Sequence, residues 1–263
     1  MNPTQFKRII WAYSKKEGRH DLPWRKTRDP YRILVSEVML QQTQVERVKS
    51  YYQTWLKKFP TARALANAPL GDVLRAWQGL GYNRRAKMLH TAAKSLTPFS
   101  KSAEELQKLP GIGPYTARAV MAFAHNSDEV FIETNIRTAV THHFFPRRTT
   151  VDDREVLAVL EKAHPHGRAR EWYAALMDYG AHLKRSGVRL NAKAKGYSKQ
   201  KTFAGSDRQA RGVILKELAK APTTKSRILG LLGDDRTQQL EDQLAKLLAE
   251  GMVTRKGITY RLP

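Results

Sequence analysis

The chain has 263 residues, 41% of them hydrophobic, which is enough for one large helical domain with a small appendage or for two modest domains. No apolar run approaches the roughly 20 residues of a membrane span, and the charge-rich start does not fit a secretory signal. Because the chain has no cysteine, we expect no disulfide and no iron–sulfur cluster. We expect no cofactor of another kind and no metal, and a cytoplasmic protein, associated with the nucleoid if the source is prokaryotic.

The positive charge of the chain indicates a polyanionic partner. Lys and Arg number 47 against 24 Asp and Glu, which gives a formal net charge of +23. Such an excess opposes compaction through self-repulsion, so nucleic acid is the favoured partner. An anionic membrane is the weaker alternative, because the basic residues are not confined to one amphipathic helix.

Helical periodicity runs through most of residues 1–186. From about residue 4 onward, apolar residues recur at helical spacing between Gly and Pro breaks, and no segment alternates convincingly like a strand. The predicted helices are 31–52, 70–77, 84–96, 114–124, 132–144, 154–163 and 169–184. We therefore predict an all-α body over residues 1–186.

The remaining residues change character twice. Residues 184–201 carry seven Lys or Arg and no acid, which are Lys184, Arg185, Arg189, Lys193, Lys195, Lys199 and Lys201. With so little apolar surface to bury, 187–206 is predicted to be a basic linker that orders on a phosphate backbone, a solvated tether being the alternative. Residues 207–263 read as helices 208–220, 225–232 and 236–250 followed by a hairpin of 252–255 and 258–262, a winged-helix-like domain.

A glycine-rich hairpin is the most specific local motif. Leu109-Pro-Gly-Ile-Gly113 allows a tight turn and close approach of a partner, and Pro114 suits the first turn of a helix whose free N–H groups attract an anion. We predict that this hairpin holds a DNA phosphate, an ordinary turn between helices being the alternative. The predicted contacts are Leu109, Gly111, Ile112, Gly113 and Thr116.

Two glutamates are candidates for chemistry. Glu37 interrupts an apolar helix, where burial raises the pKa of a carboxyl and suits it to general acid or base catalysis. Gln41 lies one turn on, on the same predicted face, and its amide suits contact with an extruded base. A structural or exposed Glu37 is equally compatible with this spacing. Glu133 opens a helix that Thr134 or Asn135 can help to cap, and by itself it favours a capping role over catalysis.

Several motifs resemble, in order and spacing, the helix-hairpin-helix DNA glycosylases of the MutY adenine type. They are Trp24-Arg25, Pro30-Tyr31, SEVMLQQTQV at 36–45, Phe59-Pro60, Gly79-Leu-Gly-Tyr82 with Arg84-Arg-Ala86, and LPGIGPYTA at 109–117. The resemblance spans about residues 6–186. It implies a helix-hairpin-helix glycosylase body over these residues. With the module read from residues 207–263, the expected fold is an all-α helix-hairpin-helix glycosylase body with a small C-terminal winged-helix-like α+β domain. The resemblance also implies a monomeric base excision repair enzyme that acts on double-stranded DNA containing a mispaired or damaged base.

The resemblance also implies roles for individual residues. Glu37 protonates the target base, and Glu133, standing where the family has an aspartate, stabilises the oxocarbenium-like sugar from one methylene further out. Tyr115 occupies the position of a lysine nucleophile in related lyases, so we expect it to contact substrate and expect base removal without an efficient lyase step. In the family, the residue matching Gln41 belongs to the segment that fills the gap left by the extruded base. Besides Gln41 and the hairpin, we predict DNA contacts at Gln42, Thr43, Tyr82, Arg84, Arg85, Asn135, Lys184 and Arg185. For Arg84 and Arg85, a merely solvent-facing position is the alternative.

Two family features are absent, and the second of them, together with Glu133 in place of the aspartate, leaves the target base open. The basic stretch 184–201 replaces the cluster cysteines and is expected to take over part of their loop's DNA grip. The winged-helix-like module stands where the family has its 8-oxoguanine-recognition domain. Adenine opposite 8-oxoguanine or guanine is the first expectation, and thymine, uracil or 5-hydroxyuracil opposite guanine is the alternative. A catalytically decayed DNA-binding protein is the alternative of another class, and the presence of Glu37, Gln41 and Tyr115 argues against it.

Overall fold

A computed structural model of the chain describes residues 1–96, 98–100, 102–195 and 202–263. The chain divides into two compact units. Unit 1 comprises Met1–Glu37, Ser100–Lys108 and Ile112–Lys199, and unit 2 comprises Val38–Phe99, Leu109–Gly111 and Gln200–Pro263. Within the described ranges, no helix is both long enough and apolar enough to cross a bilayer.

The described residues are mostly helical. The helices of the body are α1 Pro3–Glu17, α2 Pro30–Leu40, α3 Val45–Lys58, α4 Ala62–Asn67, α5 Leu70–Ala76, α6 Arg84–Ala93, α7 Ala103–Gln107, α8 Pro114–His125, α9 Thr134–Phe144, α10 Asp153–Ala163 and α11 Ala169–Arg185. The C-terminal elements are α12 Asp207–Lys220, β1 Thr223–Thr224, α13 Lys225–Leu232, α14 Thr237–Ala249, β2 Thr254–Lys256 and β3 Thr259–Arg261. Short 3-10 turns lie at Pro23–Arg25, Asn191–Lys193 and Asp234–Arg236.

Unit 1 is built around α9 and α11, which pack along each other, with α1 and α10 also in contact with this pair. Aromatic side chains fill its core: Trp172 and Tyr173 are fully buried, and the ring of Phe131 stacks on Tyr173 with centroids 3.9 Å apart. Burial of such large side chains is the main stabilising contribution to a helical body of this size. The core therefore fixes the start of α9 against α11, where the candidate site lies.

Unit 2 contains the C-terminal module and the helices on which it packs. Its sheet has the order β1–β3–β2 and is antiparallel, with Tyr260 opposite both Thr223 and Arg255. Helix α12 packs on α5, and the N–H of Gly71 donates to the carbonyl of Pro263 at 3.0 Å. The predicted fold class, an all-α body with a small α+β C-terminal domain, is confirmed. The boundaries 1–186, 187–206 and 207–263 stay a prediction.

The structure corrects two local expectations. The predicted helix 31–52 is two helices, α2 and α3, because Gln42 has φ 57° and breaks the chain at 41–44. The predicted basic linker is partly ordered on unit 1: the N–H of Val151 donates to the carbonyl of Lys193 at 2.8 Å, and Val151 pairs with Ala194 in a bridge. Backbone pairing thus replaces the apolar burial that this segment lacks. Residues 196–201, with Lys199 and Lys201, lie outside the described residues.

Candidate active site

A buried carboxyl on α2 forms the centre of the site. Glu37 is 5% exposed, and the hydroxyl of Tyr115, in the first turn of α8, donates a 2.6 Å hydrogen bond to its Oε2. Around Glu37, the α2 residues Val35, Val38 and Met39 are apolar and buried, so the carboxyl is held away from water. The structure therefore brings together two of the three predicted catalytic residues, which are 78 positions apart in the sequence.

Burial controls the protonation of Glu37. Loss of hydration raises its pKa to about 7, and the negative charge of Glu133 acts in the same direction. The hydrogen bond from Tyr115 and the positive charge of Arg25 oppose the rise. Burial also raises the pKa of Tyr115 well above its usual value, so its hydroxyl stays a donor at neutral pH. Glu37 can therefore hold or release a proton near neutrality, as a general acid or base must.

Glu133 lies at the start of α9 and caps it. Its Oε2 accepts from the N–H of Asn135 at 2.7 Å, and its Oε1 accepts from the Asn135 side-chain amide at 3.2 Å. The helix begins at Thr134, so Glu133 is itself the N-cap, rather than Thr134 or Asn135. Burial raises the pKa of Glu133, whereas the bonds from Asn135 and the charge of Lys184 lower it. The carboxylate is thus oriented by the helix terminus.

Lys184 is the cation on the Glu133 side of the site. Its Nζ donates to the Asn135 Oδ1 at 2.8 Å from the last turn of α11. Lys184 and Asn135 are both predicted DNA contacts, and the structure instead joins them to each other and, through Asn135, to Glu133. Their contact with DNA remains a prediction. Arg185, which follows, is exposed.

Arg25 links the site to a buried ion cluster. Its guanidinium binds Asp178 through two bonds of 2.6 and 2.9 Å, and Arg19 binds the same carboxylate through its backbone N–H and its side chain. Asp178 is 2% exposed, in agreement with a structural role. In the sequence, Trp24-Arg25 stands out only as a family motif. The electrostatic effect of Arg25 on Glu37 was missed, because only the fold shows that the two residues are close.

The hairpin has the local geometry that its glycines predict. Gly111 has φ +76°, and a Cβ there would stand 2.7 Å from that of Met88, so only glycine fits. Gly113 is the N-cap of α8, which begins with Pro114. Two of the predicted contacts have little exposed side chain: Thr116 is buried, and Ile112 is only 4% exposed. Gly111 and Gly113 are exposed and Leu109 is partly buried, and contact of the hairpin with phosphate stays a prediction.

Within unit 2, Arg85 holds two turns together. Its guanidinium donates to the carbonyl groups of Val38, Met39, Gln41, Leu80 and Gly81 and to the hydroxyl of Thr43. Burial lowers its pKa to about 10, so it stays charged at neutral pH. These bonds engage both terminal nitrogens of the guanidinium and position turns 41–43 and 79–82. DNA contact by Arg85 stays a prediction.

The other predicted DNA contacts of unit 2 lie on or beside these turns. Gln41 follows the end of α2 and therefore does not continue its helical face, contrary to the sequence interpretation. Gln42 and Arg84 are exposed, and Tyr82 is 38% exposed at φ 47°. Arg208 of α12 donates to the Tyr82 hydroxyl at 2.8 Å, a contact between residues 126 positions apart that no local signal predicts. DNA contact by these residues stays a prediction.

One cluster of metal-ligand type occurs in the part of the chain that the structure describes. The ligand atoms of Asp128, His164 and His166 lie within 4.8 Å of one another. Asp128 accepts hydrogen bonds at 3.0 and 3.1 Å from the two imidazoles, and a third from the N–H of Gly167. This bonding is a sufficient explanation for the cluster, and the cluster includes none of the residues of the carboxyl site. For an iron–sulfur cluster the chain supplies no thiolate, so its residues do not fit one.

The known proteins that this chain resembles are DNA repair proteins and DNA glycosylases. A family model described as HhH-GPD superfamily base excision DNA repair protein matches residues 35–166. A protein of Mycolicibacterium smegmatis named adenine DNA glycosylase is 36% identical, over 90% of this chain and 88% of its own. A protein of that name from Mycobacterium tuberculosis is also 36% identical, over 91% and 88%. A solved thermostable thymine-DNA glycosylase shares the fold, with TM-score 0.60 and 24% identity over 68% of this chain and 86% of that one.

The helix-hairpin-helix body and the buried, protonatable Glu37 thus define a DNA N-glycosylase, an enzyme that acts on DNA. The chain belongs to the HhH-GPD superfamily of base excision DNA repair proteins. The resemblance predicted from the sequence motifs is confirmed.

Proposed function

We propose that the enzyme removes adenine mispaired with 8-oxoguanine or guanine by hydrolysing the bond between the base and C1′ of its sugar. The observation that carries this proposal is the buried Glu37 carboxyl, whose pKa of about 7 keeps it partly protonated at neutral pH. An ordinary glutamate would be protonated in less than about 1% of molecules at that pH.

The chemistry follows from the two carboxyl groups. Protonated Glu37 donates its proton to a ring nitrogen of the flipped base, which then leaves with the electron pair of the N-glycosidic bond. Glu133, as a carboxylate, stabilises the positive charge that develops on the sugar. Water adds to C1′ and loses a proton, which completes the hydrolysis. Tyr115 orients the carboxyl of Glu37 through its hydrogen bond, in addition to any contact it makes with substrate.

The relatives support adenine as the target. The match to the Mycolicibacterium protein covers 90% of this chain. The uncovered residues are fewer than the 57 residues of the C-terminal module, 207–263, so the match extends into that module. A protein named adenine DNA glycosylase therefore shares part of this module. The lack of the family's lesion-recognition domain is therefore compatible with adenine as the target base.

We further propose a monomer that binds the mispaired duplex, works in the cytoplasm and needs neither metal nor iron–sulfur cluster. The absence of cysteine supports the lack of an iron–sulfur cluster, and metal analysis of purified protein tests for any metal. The charge of +23 supports tight, salt-dependent contact with the phosphate backbone. Exposed Arg185 and the described part of the basic segment are candidates for part of that contact.

A panel of duplexes tests the target base. Base release is measured with enzyme in excess, on adenine opposite 8-oxoguanine or guanine, thymine or uracil opposite guanine, and 5-hydroxyuracil opposite guanine. Release of adenine alone is expected. Release of a pyrimidine alone would replace the proposed substrate, and tight binding without release of any base would support a decayed site.

A further inference from the structure

We propose that Lys184 is a positioning residue for excision: its ammonium group binds Asn135 and, with the N-terminus of α9, keeps Glu133 oriented and negatively charged. This inference rests on the proposed function, since it assigns a residue to the same reaction. It replaces the predicted DNA contact of Lys184 with a role inside the site.

The first support is a continuous chain of hydrogen bonds. The Lys184 Nζ donates to the Asn135 Oδ1 at 2.8 Å, and the Asn135 side-chain nitrogen donates to the Glu133 Oε1 at 3.2 Å. The Asn135 amide is thereby fixed with its oxygen toward the lysine and its nitrogen toward the carboxylate. A cation at position 184 satisfies that orientation, because it donates and cannot accept.

The second support is the close approach of α11 to the start of α9. A Cβ on Gly180 would stand 1.9 Å from the carbonyl oxygen of Asn135, so the two backbones touch there. Lys184 follows Gly180 by one helical turn and therefore lies on the same face of α11. The glycine thus lets the helix come close enough for the lysine to reach the Asn135 side chain.

The third support is that the buried Glu133 carboxylate needs a nearby positive charge to stay ionised. Glu133 lies near Glu37 on α2 and Tyr115 on α8, and its negative charge raises the pKa of each. Burial raises the pKa of Glu133 itself, which favours its neutral form. The opposing contributions come from Asn135 and the N–H of Ile136 on α9, and from Lys184 on α11. Burial lowers the pKa of Lys184 and the charge of Glu133 raises it, as expected for such a pair.

Two variants of Lys184 separate charge from structure. Lys184→Met removes the ammonium and keeps most of the side-chain length, whereas Lys184→Arg keeps a donor and a positive charge. Lys162→Met, at an exposed position on α10, removes one positive charge elsewhere. Thermal unfolding of all variants checks that they fold.

The direct readout is the titration of Glu133, followed by carbon-13 NMR of glutamate side-chain carboxyls and assigned with Glu133→Gln. An opposite charge near a carboxyl lowers its pKa by about 1–3 units, and the bridge through Asn135 places this pair at the lower end. We expect the Glu133 midpoint to rise by about one pH unit in Lys184→Met and to stay near wild type in Lys184→Arg and Lys162→Met. An unchanged midpoint in Lys184→Met would overturn the inference.

The second readout is the pH profile of base release with saturating enzyme. Excision needs charged Glu133 and protonated Glu37, so the acidic limb reports on the former and the basic limb on the latter. Lys184→Met should shift the acidic limb upward and lower the rate there by about tenfold. An unmoved acidic limb, with weaker DNA binding and a shallower salt dependence, would mean a phosphate contact and contradict the proposal. The NMR titration does not depend on activity, so the two claims can fail separately. A wild-type enzyme that is inactive on every duplex would refute the proposed function. The Glu133 midpoint would still decide whether Lys184 and Glu133 are coupled.

Discussion

Removal of the Tyr115 hydroxyl should shift the basic limb of excision to higher pH. The hydroxyl donates to Glu37 at 2.6 Å and stays protonated at neutral pH, so it stabilises the carboxylate more than the carboxylic acid. A hydrogen bond to a charged group contributes about 1.5–3 kcal/mol, and one pKa unit corresponds to about 1.4 kcal/mol. Because the acid form also keeps part of the bond, we expect a rise of about one unit in Tyr115→Phe.

The midpoint of the basic limb should therefore move from about 7 to about 8. At pH 8 the variant should retain a fraction of its own maximal rate about fivefold larger than the wild type does. The assay is single-turnover base release between pH 5 and pH 9. The phenyl ring keeps its edge contact with Phe131, and Tyr260→Phe, in the C-terminal sheet, serves as the control for loss of a hydroxyl. A basic limb that stays in place, or moves to lower pH, would refute the assignment of that limb to Glu37.

Three further substitutions test the framework of the site. Asp178→Asn should lower the free energy of unfolding by about 3–5 kcal/mol, because Arg19 and Arg25 lose a buried charged partner. The measurement is urea unfolding, and a loss below about 1 kcal/mol would contradict this prediction. Arg85→Lys should cost more than about 2 kcal/mol by the same measurement, since an ammonium cannot reach all the carbonyls that the guanidinium binds, and wild-type stability would refute the positioning role. Gly180→Ala should slow base release by about 10²-fold, with a smaller effect on DNA binding, because the added methyl group displaces the start of α9. An unchanged rate would show that the placement of Glu133 is not critical.

Local sequence signals predicted the elements well where packing agrees with them. Helices α8, α10 and α11 lie within a residue or two of their predicted bounds, since apolar periodicity and capping residues act within one element. The break after α2 was not predicted. Residues 41–44 continue a helical pattern, and the left-handed Gln42 occurs where Arg85, 43 positions later, binds the carbonyls around it. Strand β1 was missed because two residues carry no periodicity.

The candidate site also combines features that local sequence signals predict with features that depend on packing. Motifs identified Glu37, Tyr115 and Glu133 one by one, but their couplings join distant parts of the chain. The Tyr115–Glu37 bond, and the contact of Asn135 with Lys184, depend on how α2, α8, α9 and α11 pack. The roles of Arg25 and Gly180 became visible only with that packing. Sequence thus indicated the reacting groups, and the fold was needed to find what sets their charge.

The most direct test of the central claim compares the wild type with Glu37→Gln on a duplex with adenine opposite 8-oxoguanine. Single-turnover base release and affinity for the same duplex are measured side by side. The glutamine keeps the shape of Glu37 but cannot donate a proton as a carboxylic acid does, so release should fall by at least about 10²-fold while binding stays close to wild type. Adenine release by Glu37→Gln at the wild-type rate would contradict the account.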